Sequence, residues 1–316
     1  MDHVFSVRGI RGGRFGDEPS ASSFLAVPEG ATDLIPNQRI TKASWVRQVI
    51  EEARHAPEGG DVGRGDIVFY VHGFNTSTRA VLSRHRKIAA GLRANGFKGV
   101  VVSFDWPSAD TALNYLEDRV DAKQTAFRLV DEGIRTFAAL QTPACRINMH
   151  ILAHSLGAYV VREAFDDADD RPAIAQNSWS VSQIMLVAAD VSAAGMADGN
   201  PKSSSLYRHC VRLTNYYNHY DDVLSLSNIK RIGVAPRAGR IGLPATKPAK
   251  AVDIHCGRYF NLHLGGPTVA NAHTWYFDDP VFLRDVFLTI DGAIDRVEFP
   301  TRARTQTDDL ALIRPV

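Results

Sequence analysis

The residues best suited to chemistry are Ala153-His154-Ser155-Leu156-Gly157, a small-x-Ser-x-Gly pattern at the end of an apolar run. Ile147, Met149, Ile151 and Leu152 supply that run, and only Asn148 and His150 interrupt it. A serine on a sharp strand-to-helix turn exposes its hydroxyl but leaves no room for bulk two residues away. Ala153 and Gly157 meet that demand, although glycine is the commoner residue at the first position. The pentapeptide also fits a serine in an ordinary turn, so the rest of the chain must separate the two readings.

A serine hydroxyl becomes a nucleophile only beside a base, and the base needs an orienting carboxylate. His273, in Asn271-Ala272-His273-Thr274-Trp275-Tyr276, is expected in a loop just before a last helix. Asp279-Pro280 opens that helix and Gly292 closes it, as start and stop residues do. From such a loop an imidazole reaches over Ser155 to take its proton. The carboxylate is expected in Asn215–Leu224, where Asp221 and Asp222 stand side by side. Sequence physics does not choose between them, and a solvated acidic turn is the plain alternative.

The oxyanion of acyl transfer also needs two backbone N–H donors. His72-Gly73-Phe74-Asn75 follows a second apolar run, Asp66–Val71. The N–H groups of Phe74 and Leu156 are the expected pair, with Gly73 allowing the close turn. The His72 ring itself is expected to bond a neighbouring loop and nothing more. The order serine, acid, histidine is the one found in α/β-hydrolases.

The elements that must position these residues can be read in the same way. Strands are expected at Val4–Val7, Phe24–Val27, Asp66–Val71, Gly99–Phe104, 147–152, Gln183–Ala188 and Cys210–Tyr216. Helical spacing marks 42–55, Ala80–Asn95, Leu116–Leu140, the stretch from the serine to Phe165, and the last helix. Arg8–Ser23, rich in Gly, Arg and Ser, reads as loop. Strand and helix in alternation imply a mostly parallel central sheet covered on both faces, with ligands at the carboxyl ends of its strands. The expected organisation is an N-terminal extension 1–65 packed on the core, a catalytic domain 66–292 and a tail 293–316.

The motifs Asp66–Asn75, Val102-Ser103-Phe104-Asp105-Trp106-Pro107-Ser108, Tyr115-Leu116-Glu117-Asp118-Arg119 and His150–Tyr159 resemble a bacterial α/β-hydrolase family long catalogued as a domain of unknown function. The resemblance covers about 66–290. It implies the α/β-hydrolase fold, an esterase- or lipase-like Ser-His-Asp triad, and neither metal nor organic cofactor. It also favours Asp221 as the acid, because Asp221-Asp222-Val223-Leu224 fits that family's Asp-x-Ala-Leu-like stretch. His273-Thr274-Trp275-Tyr276 fits its His-x-x-Tyr pattern. The family defines no substrate, and nothing carries over to the first sixty residues.

Phe74, Trp106 and Tyr115, past strand ends that flank the serine turn, are expected to line the substrate pocket. Packing of a neighbouring loop is the alternative for Trp106 and Tyr115. Residues 228–262 carry Lys230, Arg231, Arg237, Arg240, Lys247, Lys250 and Arg258 between acid and histidine. They are expected either to cap the site, favouring an acidic substrate, or to form a solvated basic excursion.

Composition narrows the class. Of 316 residues, 45% are hydrophobic and 22% charged, with a formal net charge of +1, so neither nucleic acid nor a strongly charged partner is implied. Cys145, Cys210 and Cys256 lie far apart and form neither a disulfide framework nor a zinc motif. No H-E-x-x-H run points to a metal hydrolase. The start of the chain lacks the pattern of a secretory signal, and no apolar run spans a bilayer, so a soluble, cytoplasmic protein without stable membrane insertion is expected. The overall expectation is a serine hydrolase of carboxylic esters acting on a small-molecule substrate through an acyl-enzyme. A catalytically silent α/β-hydrolase fold used for binding or scaffolding is the alternative. Acyl and alcohol preference and oligomeric state stay open.

Overall fold

A computed structural model describes residues 1–55, 63–108, 123, 125–141, 145–175, 179–229, 235–264, 269–305 and 309–315. Its strands are β1 (Asp2–Arg11), β2 (Arg14–Val27), β3 (Arg39–Ile40), β4 (Arg54–His55), β5 (Gly63–Val71) and β6 (Val100–Asp105). They continue with β7 (Cys145–His154), β8 (Val181–Val187), β9 (Cys210–Tyr217), β10 (Ala251–His255), β11 (Arg302–Arg304) and β12 (Leu310–Leu312). The helices of six residues or more are α1 (Lys42–Ala53), α2 (Thr78–Ala94), α3 (Leu156–Asp169), α4 (Pro201–Arg208), α5 (Asp222–Ile229), α6 (Gly257–His263), α7 (Val269–Thr274) and α8 (Pro280–Asp291). A further helical stretch lies within 125–138.

Among the described residues one sheet runs β11-β12-β10-β9-β8-β7-β5-β6-β1-β2-β3, with β4 paired to β5. From β12 through β10, β9, β8, β7, β5 and β6 to β1 every pairing is parallel. Antiparallel pairs occur at the two edges and at β4.

The two faces follow from the period-2 alternation of strand side chains. On β5, Ile67, Phe69 and Val71 join one core with Trp45 and Val49 of α1, Phe137, and Val160 and Phe165 of α3. Val68 and Tyr70 join the other with Ile88 and Leu92 of α2, and Phe282 and Val286 of α8. The two polar interruptions of β7 also have their reason. The side chains of Asn148 and His150 both bond Asp66 on β5, at 3.1 and 3.2 Å. Strands buried on both faces are what parallel sheets require.

Several expectations change. Residues 14–23 are strand, not loop. The outer arm of the β1–β2 hairpin is largely solvent-exposed, so it carries no apolar alternation to read. Segment 1–65 does not merely pack on the core, because β1 enters the sheet beside β6. The tail 293–316 likewise supplies β11 and β12. Of 228–262, residues 230–234 lie outside the described residues, and the remainder does not stand off as a cap. Residues 251–255 are a strand of the sheet, Lys250 Nζ donates to the carbonyls of Tyr207 and Cys210, and Arg237 is buried against Asp190. Lys250 and Arg237, bonded into the body of the protein, are not part of an electrostatic lid. Tyr115 also lies outside the described residues. No described helix is long and apolar enough to cross a membrane.

Candidate active site

The register of the sheet levels the strand ends. Val71 is paired with Ala153 and with Phe104, so His72, His154 and Asp105 emerge side by side. Ser155 follows with φ 54° and ψ −123°, a conformation that side-chain-bearing residues rarely adopt. Its N–H donates to the Val187 carbonyl at 2.9 Å, and its carbonyl accepts from Asp190 N–H at 3.0 Å. A Cβ on Gly157 would lie 2.4 Å from the Val71 carbonyl oxygen, which explains why nothing larger fits there. A Cβ on Gly73 would come within 2.8 Å of Ser155 Cβ, so the loop after β5 packs directly on the serine.

Ser155 occupies the N-cap position of α3, yet its hydroxyl makes no capping bond. The other cap hydroxyls behave ordinarily: Thr41 accepts from Ser44 N–H and Ser77 from Ala80 N–H. The turn has taken Oγ of Ser155 away from its own helix.

His273 sits in the last turn of α7, not in a loop. Its Nδ1 lies 2.6 Å from Asp221 Oδ2. With Nδ1 facing an acceptor, the neutral ring keeps its proton there and leaves Nε2 with a lone pair. The His273 carbonyl accepts from His154 Nε2 at 2.9 Å, and the two rings lie tilted by 52° with centroids 4.8 Å apart. The residue before Ser155 thus ties α7 to the turn. Burial keeps His154 ionisation well below the usual imidazole range, so no second positive charge forms beside His273. Ser155 and His273 are each 7% exposed and Asp221 is wholly buried. Asp222, by contrast, is solvent-facing and 3.3 Å from Arg240. It takes no part in the cluster.

Two positioning residues escaped the sequence reading. One is His154, hidden inside the motif because its partner is 119 positions away. The other is Asn218, whose Nδ2 donates to the Ala272 carbonyl at 3.1 Å and whose carbonyl accepts from Asp221 N–H. It joins the acid-bearing loop to the residue before His273. An amide on a strand-end loop carries no local signal of such a link.

In the loop after β5, His72 Nδ1 and Thr76 Oγ1 donate to the Gly73 carbonyl at 2.8 and 3.0 Å. That carbonyl belongs to the same trans peptide as the Phe74 N–H, so holding one fixes the opposite direction of the other. Leu156 opens α3, and its N–H is one of the first-turn donors that a helix leaves without an internal acceptor. Trp106 does not line an open pocket. It is fully buried, stacked on the His72 ring, with its indole N–H donating to the His72 carbonyl at 2.8 Å. Phe74 is half-buried against the core. Among the described residues no cluster of side chains could hold a metal ion.

A mostly parallel sheet covered by helices on both faces, with a strained serine between β7 and α3, defines the α/β-hydrolase class. Residues 61–253 match the family described as "Alpha/beta hydrolase of unknown function (DUF900)". The match takes in more than half of the chain, and the chain belongs to this family. None of the curated proteins compared with it matches. Among solved structures, esterase B from Lactobacillus rhamnosis, inhibited by a tributyrin phosphonate, is similar with 11% identity, covering 72% of this chain and 75% of that one at a TM-score of 0.40. Trichoderma reesei cutinase in complex with a phosphonate inhibitor is similar with 14% identity, covering 78% and 84%, at a TM-score of 0.31.

Proposed function

We propose that the protein is a serine hydrolase that cleaves carboxylic esters through an acyl-enzyme intermediate. The observation that carries this reading is the buried 2.6 Å contact between His273 and Asp221, tied through His154 to a serine whose strained turn keeps its hydroxyl out of the helix cap. Ser155 Oγ attacks the ester carbonyl while His273 Nε2 takes its proton. Asp221 holds the imidazole in the Nδ1–H tautomer and stabilises the cation that forms. The N–H groups of Phe74 and Leu156 receive the developing oxyanion. His273 then returns the proton to the leaving alcohol, and a water activated by the same ring releases the acid. Every step uses side chains and backbone of this chain and calls for no metal or cofactor.

Labelling with a fluorophosphonate probe tests the reading. The wild type is expected to be modified on Ser155 and to hydrolyse short nitrophenyl esters, and Ser155→Ala to do neither. A folded wild type inert to the probe and to a graded ester panel would make the silent scaffold the better account.

A further inference from the structure

We propose that Arg8, brought in by the N-terminal hairpin, is a positioning residue for the oxyanion loop 72–76, acting through Asp105, His72 and Thr76. The proposal rests on the reading of Ser155 as nucleophile and of Phe74 N–H as an oxyanion donor. Arg8 is buried on β1 and spends its whole guanidinium on this end of the sheet. Nε donates to Asp105 Oδ1 at 2.8 Å, and NH2 donates to the Thr76 carbonyl at 2.8 Å. NH1 donates to Asp17 at 2.9 Å and reaches the Ser108 carbonyl at 3.5 Å. Asp105 is fully buried and also accepts from Ser6 Oγ at 2.7 Å. Its Oδ1 stands 3.2 Å from His72 Nε2, the atom that receives the Trp106 N–H.

The loop needs such a hold. Asn75, next to Phe74, has φ 50°, and strain of this kind persists only where the surroundings over-determine the backbone. Thr76 is gripped at three atoms: its N–H by Ser108 Oγ, its carbonyl by Arg8, and its hydroxyl at the Gly73 carbonyl. His72, fixed by the Trp106 N–H on its Nε2 and packed against Asp105, grips the same Gly73 carbonyl from the other side. Arg8 touches both arms of this clamp, at Asp105 and at the Thr76 carbonyl. Burial opposes the ionisation of Asp105, but the Arg8 charge and the Arg8 hydrogen bond work against it and the carboxyl is pulled down to about 2, so the clamp stays charged at neutral pH. Without Arg8 the strained turn relaxes and the Gly73–Phe74 peptide loses its aim.

The experiment compares wild type, Arg8→Ala and Arg8→Lys by melting temperature, by kcat and KM on a nitrophenyl butyrate, and by the rate of fluorophosphonate labelling. Lysine keeps the charge but lacks the fork that spans Asp105 and Thr76. Both variants are expected to lose about 10- to 100-fold in kcat and labelling rate with KM within about 3-fold, since misaiming a single oxyanion donor acts on the transition state alone. Combined with Thr76→Val, which frees the Gly73 carbonyl from its hydroxyl donor, the loss is expected to be less than additive, because both changes release one peptide. A merely structural arginine would lower the melting temperature and leave kcat of the folded fraction untouched, and that result overturns the proposal. Failure of both Arg8 variants to fold also rejects it, making Arg8 a folding residue. A wild type inert to probe and ester defeats the nucleophile reading instead, and the clamp then has no oxyanion to serve.

Discussion

The neighbouring carboxylates Asp221 and Asp222 differ in one structural respect that decides their chemistry. Asp221 is wholly buried and bonded to His273 Nδ1, while Asp222 faces solvent beside Arg240. Asp221→Asn presents an amide where the imidazole needs an acceptor and favours the wrong tautomer. The expected loss in kcat is on the order of 10³- to 10⁴-fold. Asp222→Asn removes half of an exposed ion pair, whose contribution is at most about 1 kcal/mol to stability, and turnover is expected to stay at the wild-type level. Steady-state kinetics on one ester decide the matter, and equal losses in the two variants would exclude Asp221 as the orienting acid.

At the scale of elements, the ends of the chain are built into the sheet that carries the site. β1 lies parallel to β6, and β12 lies parallel to β10. The C-terminal segment is held by the fully buried pair of Arg302 and Asp285 on α8, 2.6 Å apart, with Thr301, Tyr216 and Thr289 completing the hydrogen bonds. Asp285→Ala would leave a guanidinium buried without its counter-charge, and breaking such pairs costs about 3–5 kcal/mol. Chemical denaturation is expected to show a loss of that size. A loss below about 1 kcal/mol would mean that β11 is not anchored through this pair. Gly157 and Gly73 act at the same scale, since each lets a strand-end loop approach closer than a side chain allows.

Across the whole molecule, buried histidines set the response to acid. Burial depresses the ionisation of His72, His85 and His154, with His85 brought down to about 4 although Asp2 lies 3.6 Å away. Their folded pKa values lie below the unfolded value of about 6.5, so the unfolded chain takes up protons that the native state refuses. Stability is therefore full above about pH 6.5 and falls as pH drops toward about 4. The His85 shift alone corresponds to about 3 kcal/mol over that window. Melting temperatures measured from pH 7.5 down to 4.5 are expected to decline steadily, with a shallower slope in His85→Gln. A flat profile would mean that these rings ionise freely in the native state.

What sequence determined here was everything that depends on neighbours along the chain. Apolar runs such as 147–152 and Asp66–Val71 must be buried on both faces, and Ala153 and Gly157 must flank a tightly turned Ser155, because strand period and local sterics act within a few residues. What only the tertiary structure decided depends on pairs far apart in sequence: Asp221 over Asp222 beside His273, Trp106 as packing against His72 instead of a pocket wall, β10 taken from within 228–262, and Arg8 reaching Asp105 and Thr76. A strand-end side chain shows its type to the reader of a sequence, but its partner is chosen by the register of strands joined through long crossovers. That register emerges only when both faces of the sheet are buried at once.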